Sequence, residues 1–589
     1  MARRRGITIV LSILAAVALV FVASIVLVLV NVSRGPSIAD ESTLVLRPAG
    51  SLRETMADDL VGQIVGGSDD DTVSAFIASL KLAKRDARIA NVLLQPSTLD
   101  LPYWAKVQEL RDAILDFRKS GKQVVAYLEY GGDREYYLAS AADRVFLLPS
   151  SPLDLTGVAS YEVFLRGLFD RFGATPDYVA IGKYKTAPNQ LTEKSMTPSH
   201  REMSESLNRD MYEQLVRGFA SGRKKTEDEV RRLLDQGPFA PEDAMRSGLI
   251  DGLAYEDELD DRVPALRTDM DDERNVEEEE YRHVSPSSLG IRPRSRIALL
   301  YAVGTIVSGK SGYDPLNGDV IGSDTLVEDI RRIRADDSFK AIVLRIDSPG
   351  GSAIASDVIW RELMLTRDQT PARPLIVSMS DLAASGGYYI AMAGHAIVAQ
   401  PATLTGSIGI YSGKIALGGA AAHFGVGTAT VKDGANADIY SPFAPFTPPQ
   451  REKLMTFMRS FYDGFVEKAA KARNTTPDRI DAVAQGRVWT GAQAKAQGLV
   501  DALGGLDVAV GLAKERAKIA ASEDVELVLF PRRKTFYEVL SAQLGGSSRA
   551  NVLGFLTAGR REPLVAGAMI HQLFRRGEPL ALMPIRFVR

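Results

Sequence analysis

Two glycine-rich turns in the second half of the chain carry groups suited to acyl chemistry. One is Ala383-Ala384-Ser385-Gly386-Gly387, between a β-branched run and a helical one. Small neighbours leave the Ser385 hydroxyl accessible. The next amide, from Gly386, would lie close to an attacked carbonyl, as in other strand-to-helix nucleophile turns. The other turn is Asp347-Ser348-Pro349-Gly350-Gly351-Ser352, directly after a strand. Its paired glycines let backbone amides face a ligand closely, and such amides can stabilise a developing oxyanion. Taken singly, each turn also reads as ordinary punctuation: Ser385 as a helix N-cap, Gly350-Gly351 as a plain strand-to-helix connection. Their occurrence in consecutive βα units makes the pair more informative than either alone.

A serine nucleophile needs a base. The chain has no cysteine and five histidines: His200, His283, His395, His423 and His571. The lack of cysteine excludes disulfides, thiolate metal sites and Cys nucleophiles. His395 or His423 could serve Ser385, with no further motif to support either. Lysine is the other candidate, and spacing alone does not choose among the many lysines.

The elements that must hold these turns alternate. Ala341-Ile342-Val343-Leu344-Arg345-Ile346 reads as a strand, with a helix from Ser356. Leu375-Ile376-Val377-Ser378-Met379 is a second strand, with a helix through Tyr388 to Ala393, and Ala396-Ile397-Val398-Ala399 is a third. That alternation implies parallel βαβ units.

The pattern occurs twice. Tyr136-Tyr137-Leu138-Ala139 matches Tyr388-Tyr389-Ile390-Ala391, Leu155-Thr156-Gly157 matches Leu404-Thr405-Gly406, and Gly248-Leu249-Ile250-Asp251 matches Gly498-Leu499-Val500-Asp501, at a nearly constant offset. Two homologous halves follow, at 44–265 and 295–530. Between them, 266–294 contains Glu277-Glu278-Glu279-Glu280 and reads as a solvated acidic linker. Residues 531–589 form an extension expected to be partly helical.

The halves differ where chemistry is concerned. Gly182-Lys183-Tyr184-Lys185 lies opposite Gly434-Ala435-Asn436-Ala437, so only the first half has lysines there. Asp133 lies opposite Ser385, and Gln95-Pro96-Ser97-Thr98 lacks the paired glycines. One site divided between the halves is the economical reading, and divergence of two structural repeats is the alternative.

At the N-terminus, Arg3, Arg4 and Arg5 precede an uncharged aliphatic run from Ile7 to Ser33. It exceeds the ~20 residues that span a bilayer, and it ends without a small-x-small cleavage pattern. It reads as an uncleaved transmembrane anchor at 7–33, with 1–6 cytoplasmic by the positive-inside bias. The 589 residues are 45% hydrophobic and 25% charged, with net charge −3. This is an ordinary globular balance, and no concentrated basic face points to a nucleic acid.

Taken together, Ser348-Pro349-Gly350-Gly351, Ala384-Ser385-Gly386-Gly387-Tyr388, Thr403-Leu404-Thr405-Gly406-Ser407-Ile408-Gly409 and Gly182-Lys183-Tyr184-Lys185 with Met196-Thr197-Pro198 resemble the bacterial signal peptide peptidase A (protease IV) family in its long two-repeat form. The resemblance covers nearly all of the chain after the anchor. It implies an α/β fold of two tandem Clp/crotonase-like repeats with parallel sheets. It also implies a Ser–Lys dyad: Ser385 as nucleophile, Lys185 as base, Ser407 holding the lysine amine, and oxyanion donors from Gly386 and one of Gly350 and Gly351. Neither metal nor cofactor is expected. The implied protein is a membrane-anchored homotetramer in the bacterial inner membrane. It would be single-pass, with a cytoplasmic N-terminus and catalytic domains on the periplasmic side, degrading hydrophobic signal-peptide remnants. The dyad is expected within one chain. A crotonase-type enzyme and a silent membrane scaffold are the competing readings. Pro188, soon after the lysine, is a departure that removes no catalytic group.

Overall fold

The computed structural model describes residues 36–54, 72–269, 272–314, 318–369, 373–532, 578–583 and the strand Phe587–Val588. The expected anchor at 7–33 and the segment 1–6 lie outside the described residues. Among those described, no helix is long and apolar enough to cross a membrane.

Each half builds a parallel sheet, and the strand orders correspond. In the first half the order is Asn275–Glu277, Ser42–Leu46, Ile89–Leu94, Gln123–Leu128, Arg144–Leu147, Gly252–Leu253, all parallel. In the second, Val525–Phe530, Ser295–Val303, Phe339–Ser348, Leu375–Ala384, Ala396–Ala399 and Ala502–Leu503 repeat it. The central strands are almost wholly buried. Continuous Val/Ile/Leu runs behave this way when helices cover both faces of a parallel sheet.

Side chains repeat with the strands. The Tyr136 hydroxyl donates to the Leu249 carbonyl at 2.5 Å, and Tyr388 to Leu499 at 3.0 Å. Asp251 accepts from the Val145 amide and pairs with Arg223, while Asp501 does the same with Ile397 and Arg473. The motifs shared by the two halves are therefore the pins that fasten helices to strand ends.

The halves are not separate bodies. The buried Arg345 of the second half meets Glu54 at 2.9 Å and Glu109 at 2.5 Å, both from the first. Lys106 of the first half reaches Asp347 at 2.8 Å and Asp381 at 3.5 Å. A third sheet mixes the halves: it runs Gly312–Asp314, Gly318–Gly322, Thr305–Val307, Gly350–Ser352, Leu580–Leu582, Ile410–Ala416, Thr175–Ile181.

One expectation is corrected. The stretch 266–294 is not a solvated linker, because Asn275–Glu277 is an edge strand of the first sheet and Tyr281 is fully buried. Two of its four consecutive glutamates are partnered: Glu277 by Arg47, and Glu278 by Ser79 at 2.6 Å and by Arg282. A charge run reads as linker only while its partners, distant in sequence, are unseen. Of the extension 531–589 the described residues include the strands Leu580–Leu582 and Phe587–Val588, and the stretch 533–577, where a helix could fall, lies outside the described residues.

Candidate active site

Ser385 closes the strand Leu375–Ala384 and precedes the helix Gly386–Ala391. Its backbone has φ 56° and ψ −110°, a region that non-glycine residues rarely adopt. Such strain persists only where surroundings enforce it. Here the Ser385 amide donates to the Gly406 carbonyl at 2.7 Å, and the Ser385 carbonyl accepts from Tyr389 at 2.8 Å. The side chain makes no capping bond to the helix. It faces Lys185 instead.

Lys185 Nζ lies 2.7 Å from Ser385 Oγ, and 3.1 Å from both the Ser407 carbonyl and Ser407 Oγ. All three residues are buried. Burial alone holds the Lys185 amine well below its ordinary value, because a low-dielectric site disfavours the charged form. A neutral amine has two hydrogens and one lone pair. The two Ser407 oxygens take the hydrogens, which leaves the lone pair for the Ser385 hydroxyl.

The lysine comes from the first half on a strand of the shared sheet. Thr175–Ile181 pairs antiparallel with Ile410–Ala416, bringing Ile181 beside Ile410. A turn follows, in which the Lys185 amide donates to the Gly182 carbonyl at 3.0 Å. The turn parts the two lysines that an extended chain would align. Lys185 is buried, while Lys183 is exposed with its amine 4.6 Å from the Tyr184 ring. The backbone at Gly486 presses on Lys185, and a Cβ there would lie 2.5 Å from Lys185 Cα.

The glycine turns meet at the same place. The Gly350 amide donates to Ser348 Oγ at 3.2 Å, so it is engaged within its own turn. A Cβ on Gly386 would lie 3.1 Å from the Gly351 nitrogen, so the two amides border one small space. Ser348 was missed by the sequence reading, although it stands in the motif that was singled out. Also missed was the clamp of Arg345, Glu54, Glu109, Lys106, Asp347 and Asp381. An arginine inside an apolar strand was its only signal.

No described histidine reaches Ser385. His395 Nδ1 accepts from the Leu375 amide at 3.0 Å, His200 lies beside Glu162, and His283 Nδ1 lies 2.9 Å from the Glu279 carbonyl. His423 stacks edge-on against Phe424. His571 lies outside the described residues. Among the described residues no cluster of His, Cys, Asp or Glu could hold a metal.

A family model described as Peptidase family S49 matches residues 116–268 and again 367–520. The chain is 37% identical to "Serine protease SPPA, chloroplastic" of Arabidopsis thaliana, over 82% of this chain and 72% of that one. It is 31% identical to "Protease 4" of Salmonella typhi, over 86% and 82% of the two chains. With "Protease 4" of Haemophilus influenzae the identity is 28%, over 82% and 80%.

Proposed function

We propose, for a chain that belongs to peptidase family S49 and is a serine peptidase, that Ser385 is its nucleophile and Lys185 its general base. The observation that carries the reading is the 2.7 Å approach of Lys185 Nζ to Ser385 Oγ in a fully buried site. Ser385 Oγ attacks the substrate carbonyl carbon while its proton passes to Lys185 Nζ. The oxyanion accepts hydrogen bonds from the amides of Gly351 and Gly386. Collapse breaks the C–N bond, and the departing amine takes the proton from Lys185. Water then attacks the acyl-enzyme, giving a proton back through Lys185 and freeing Ser385. Ser407 holds the amine so that its lone pair keeps facing Ser385.

The substrates in this reading are hydrophobic peptides, chiefly signal-peptide remnants, cut by an enzyme anchored through 7–33 in the bacterial inner membrane with its catalytic halves on the periplasmic side. The resemblance and the apolar run support it. A homotetramer is part of the same proposal. Exposed Leu168, Phe172 and Phe424, on or beside the short helices Arg166–Phe172 and Gly418–His423, offer apolar surface for it. A fluorophosphonate probe tests the nucleophile. It should label the purified protein and leave Ser385→Ala unlabelled, and equal labelling of the two would refute the assignment.

A further inference from the structure

Lys185 belongs to the first half and Ser385 and Ser407 to the second, so something must fix the distance between them. The turn Gln485-Gly486-Arg487, between the helix Pro477–Val483 and the strand Val488–Thr490, does this with its backbone. The Tyr184 amide, next to Lys185, donates to the Gln485 carbonyl at 2.8 Å. The Gly486 amide donates to the Ile408 carbonyl and the Ser407 amide to the Arg487 carbonyl, each at 2.7 Å. Three successive residues therefore hold the base on one side and its serine partner on the other. The strand that follows them runs antiparallel to Leu404–Gly406, which leads into Ser407.

The tie has no slack. A Cβ on Gly182 would lie 2.4 Å from the Gln485 carbonyl carbon, and one on Gly486 would lie 2.5 Å from Lys185 Cα. Gln485 has φ 53° and Ser407 φ 51°, left-handed values that non-glycine residues adopt only where neighbours enforce them. Gln485 is fixed in turn by its side-chain amide, which donates to Asp481 Oδ1 at 2.6 Å.

Arg487 adds a second hold through its side chain. Its guanidinium lies 4.7 Å from the Tyr184 ring centre and 4.5 Å from that of Trp489. Nη1 donates to Glu202 at 2.7 Å, and Glu202 also accepts from the Tyr184 hydroxyl at 2.9 Å. Glu202 is more than half exposed, where an ion pair adds little to stability. The first half has Gln236-Gly237-Pro238 in the corresponding turn, between the helices Glu227–Leu234 and Pro241–Arg246. Gln-Gly is kept, and the arginine stands only in the half that must receive a base.

We propose that Arg487 is a positioning residue for the dyad: its carbonyl fixes Ser407, its guanidinium fixes Tyr184, and together they set where the Lys185 amine meets Ser385. This rests on the reading of Ser385 and Lys185 above. Arg487 touches neither substrate nor the reacting atoms. Its effect passes through the Lys185 backbone, whose displacement by ~1 Å is enough to cost about 10² in rate.

The test compares two arginines in the full-length protein, by peptide-hydrolysis kinetics, fluorophosphonate labelling rate and melting temperature. Arg473 pairs with Asp501 in one of the fold's pins and is 12% exposed, against 14% for Arg487. Arg487→Ala should lower kcat and the labelling rate together, by about 10- to 10²-fold, with KM within about twofold. Arg473→Ala should lower the melting temperature and preserve kcat. Arg487→Lys keeps a cation against the rings and Glu202 without the flat fork, so it should recover part of the loss. A folded Arg487→Ala enzyme with wild-type kcat, or one that loses no more than Arg473→Ala, overturns the proposal and leaves the dyad standing. If Arg487→Ala does not fold, Arg487→Lys decides: a lowered kcat at unchanged KM supports the role, and an unchanged kcat overturns it. Labelling of Lys185→Ala at the wild-type rate overturns the dyad, and the positioning role with it.

Discussion

The two halves share a strand order and the pins that fasten it, yet only the second sets a serine against a lysine. The parallel bridge between Gly50 and Leu99 in the first half corresponds to that between Ile306 and Gly351 in the second. In the second half the Gly351 amide is offered to a peptide carbonyl. In the first, the Leu99 amide donates to the Glu135 carboxylate at 2.7 Å. Asp133, in the place of Ser385, accepts from the amides of Thr156 and Gly157, each at 3.3 Å. The first half thus satisfies its donors with carboxylates of its own, where the second pairs the Gly350–Ser352 strand with the backbone of Leu580–Leu582.

The largest expected effects come from the groups that differ most between the halves. Ser385→Ala and Lys185→Ala should each lower peptidase kcat by about 10⁴ or more, since members of one catalytic unit fail together. Asp133→Ala, at the matching position, should leave kcat/KM within about twofold. Because the Ser385–Lys185 approach lies within one chain, mixing the two inactive variants in one oligomer should restore nothing. Restored turnover would show a dyad formed between chains.

Gly351→Ala comes next. Its φ is 155°, and an added Cβ would meet the Ile306 carbonyl at 2.0 Å. Displacing this amide should cost about 10² to 10³ in kcat. Leu99→Ala in the first half should instead cost stability, about 2–4 kcal/mol as a buried large-to-small change, with kcat preserved. A normal rate in a folded Gly351→Ala enzyme would remove that amide from the oxyanion site.

How far the sequence foretells this site depends on the kind of interaction. The repeat was visible because Tyr136, Tyr388, Asp251 and Asp501 are pins that both halves must keep. Ser385 and the glycine turns were visible because their geometry depends on local residue types. The choice of Lys185 over Lys183 was not visible from spacing, since it follows from a turn closed by the Gly182 carbonyl. The Arg47–Glu277 and Arg345–Glu54 pairs were hidden because each joins residues more than 200 positions apart. The strand Leu580–Leu582 was hidden for the same reason, as its short apolar run takes its meaning from the groove it enters.

Smaller changes are expected where a group only steadies the base or has been proposed in its place. Ser407→Ala removes one of the two oxygens at 3.1 Å from Lys185 Nζ and leaves the carbonyl, so kcat should fall roughly fivefold, as for a lost neutral hydrogen bond of about 1 kcal/mol. Activity should rise with pH as Lys185 loses its proton, at values well below the ordinary lysine range. His395→Gln and His423→Gln should stay within about tenfold of the wild-type rate with that limb unmoved, whereas loss of a true general base costs ~10² or more. Lys183→Ala, at an exposed position, should be milder still. A collapse in His423→Gln would revive a serine–histidine pairing.

The smallest effect on activity, and a distinct one on stability, belongs to Asp133. Burial pushes its carboxyl up to about 6, from an ordinary value near ~3.9. A carboxyl raised in the folded state favours folding while it is protonated. Its contribution is full below pH ~4 and is lost as pH rises through about 6. A two-unit rise corresponds to about 3 kcal/mol at most. Asp133→Asn keeps an oxygen for the Thr156 and Gly157 amides and cannot ionise. Denaturant titrations at pH 4.5 and 7.5 should therefore show the variant gaining on the wild type at the higher pH, by on the order of 1–3 kcal/mol, with peptidase turnover unchanged. If the difference between the two proteins is the same at both pH values, Asp133 stays ionised throughout. The first half would then hold a buried charge at the place where the second half holds Ser385.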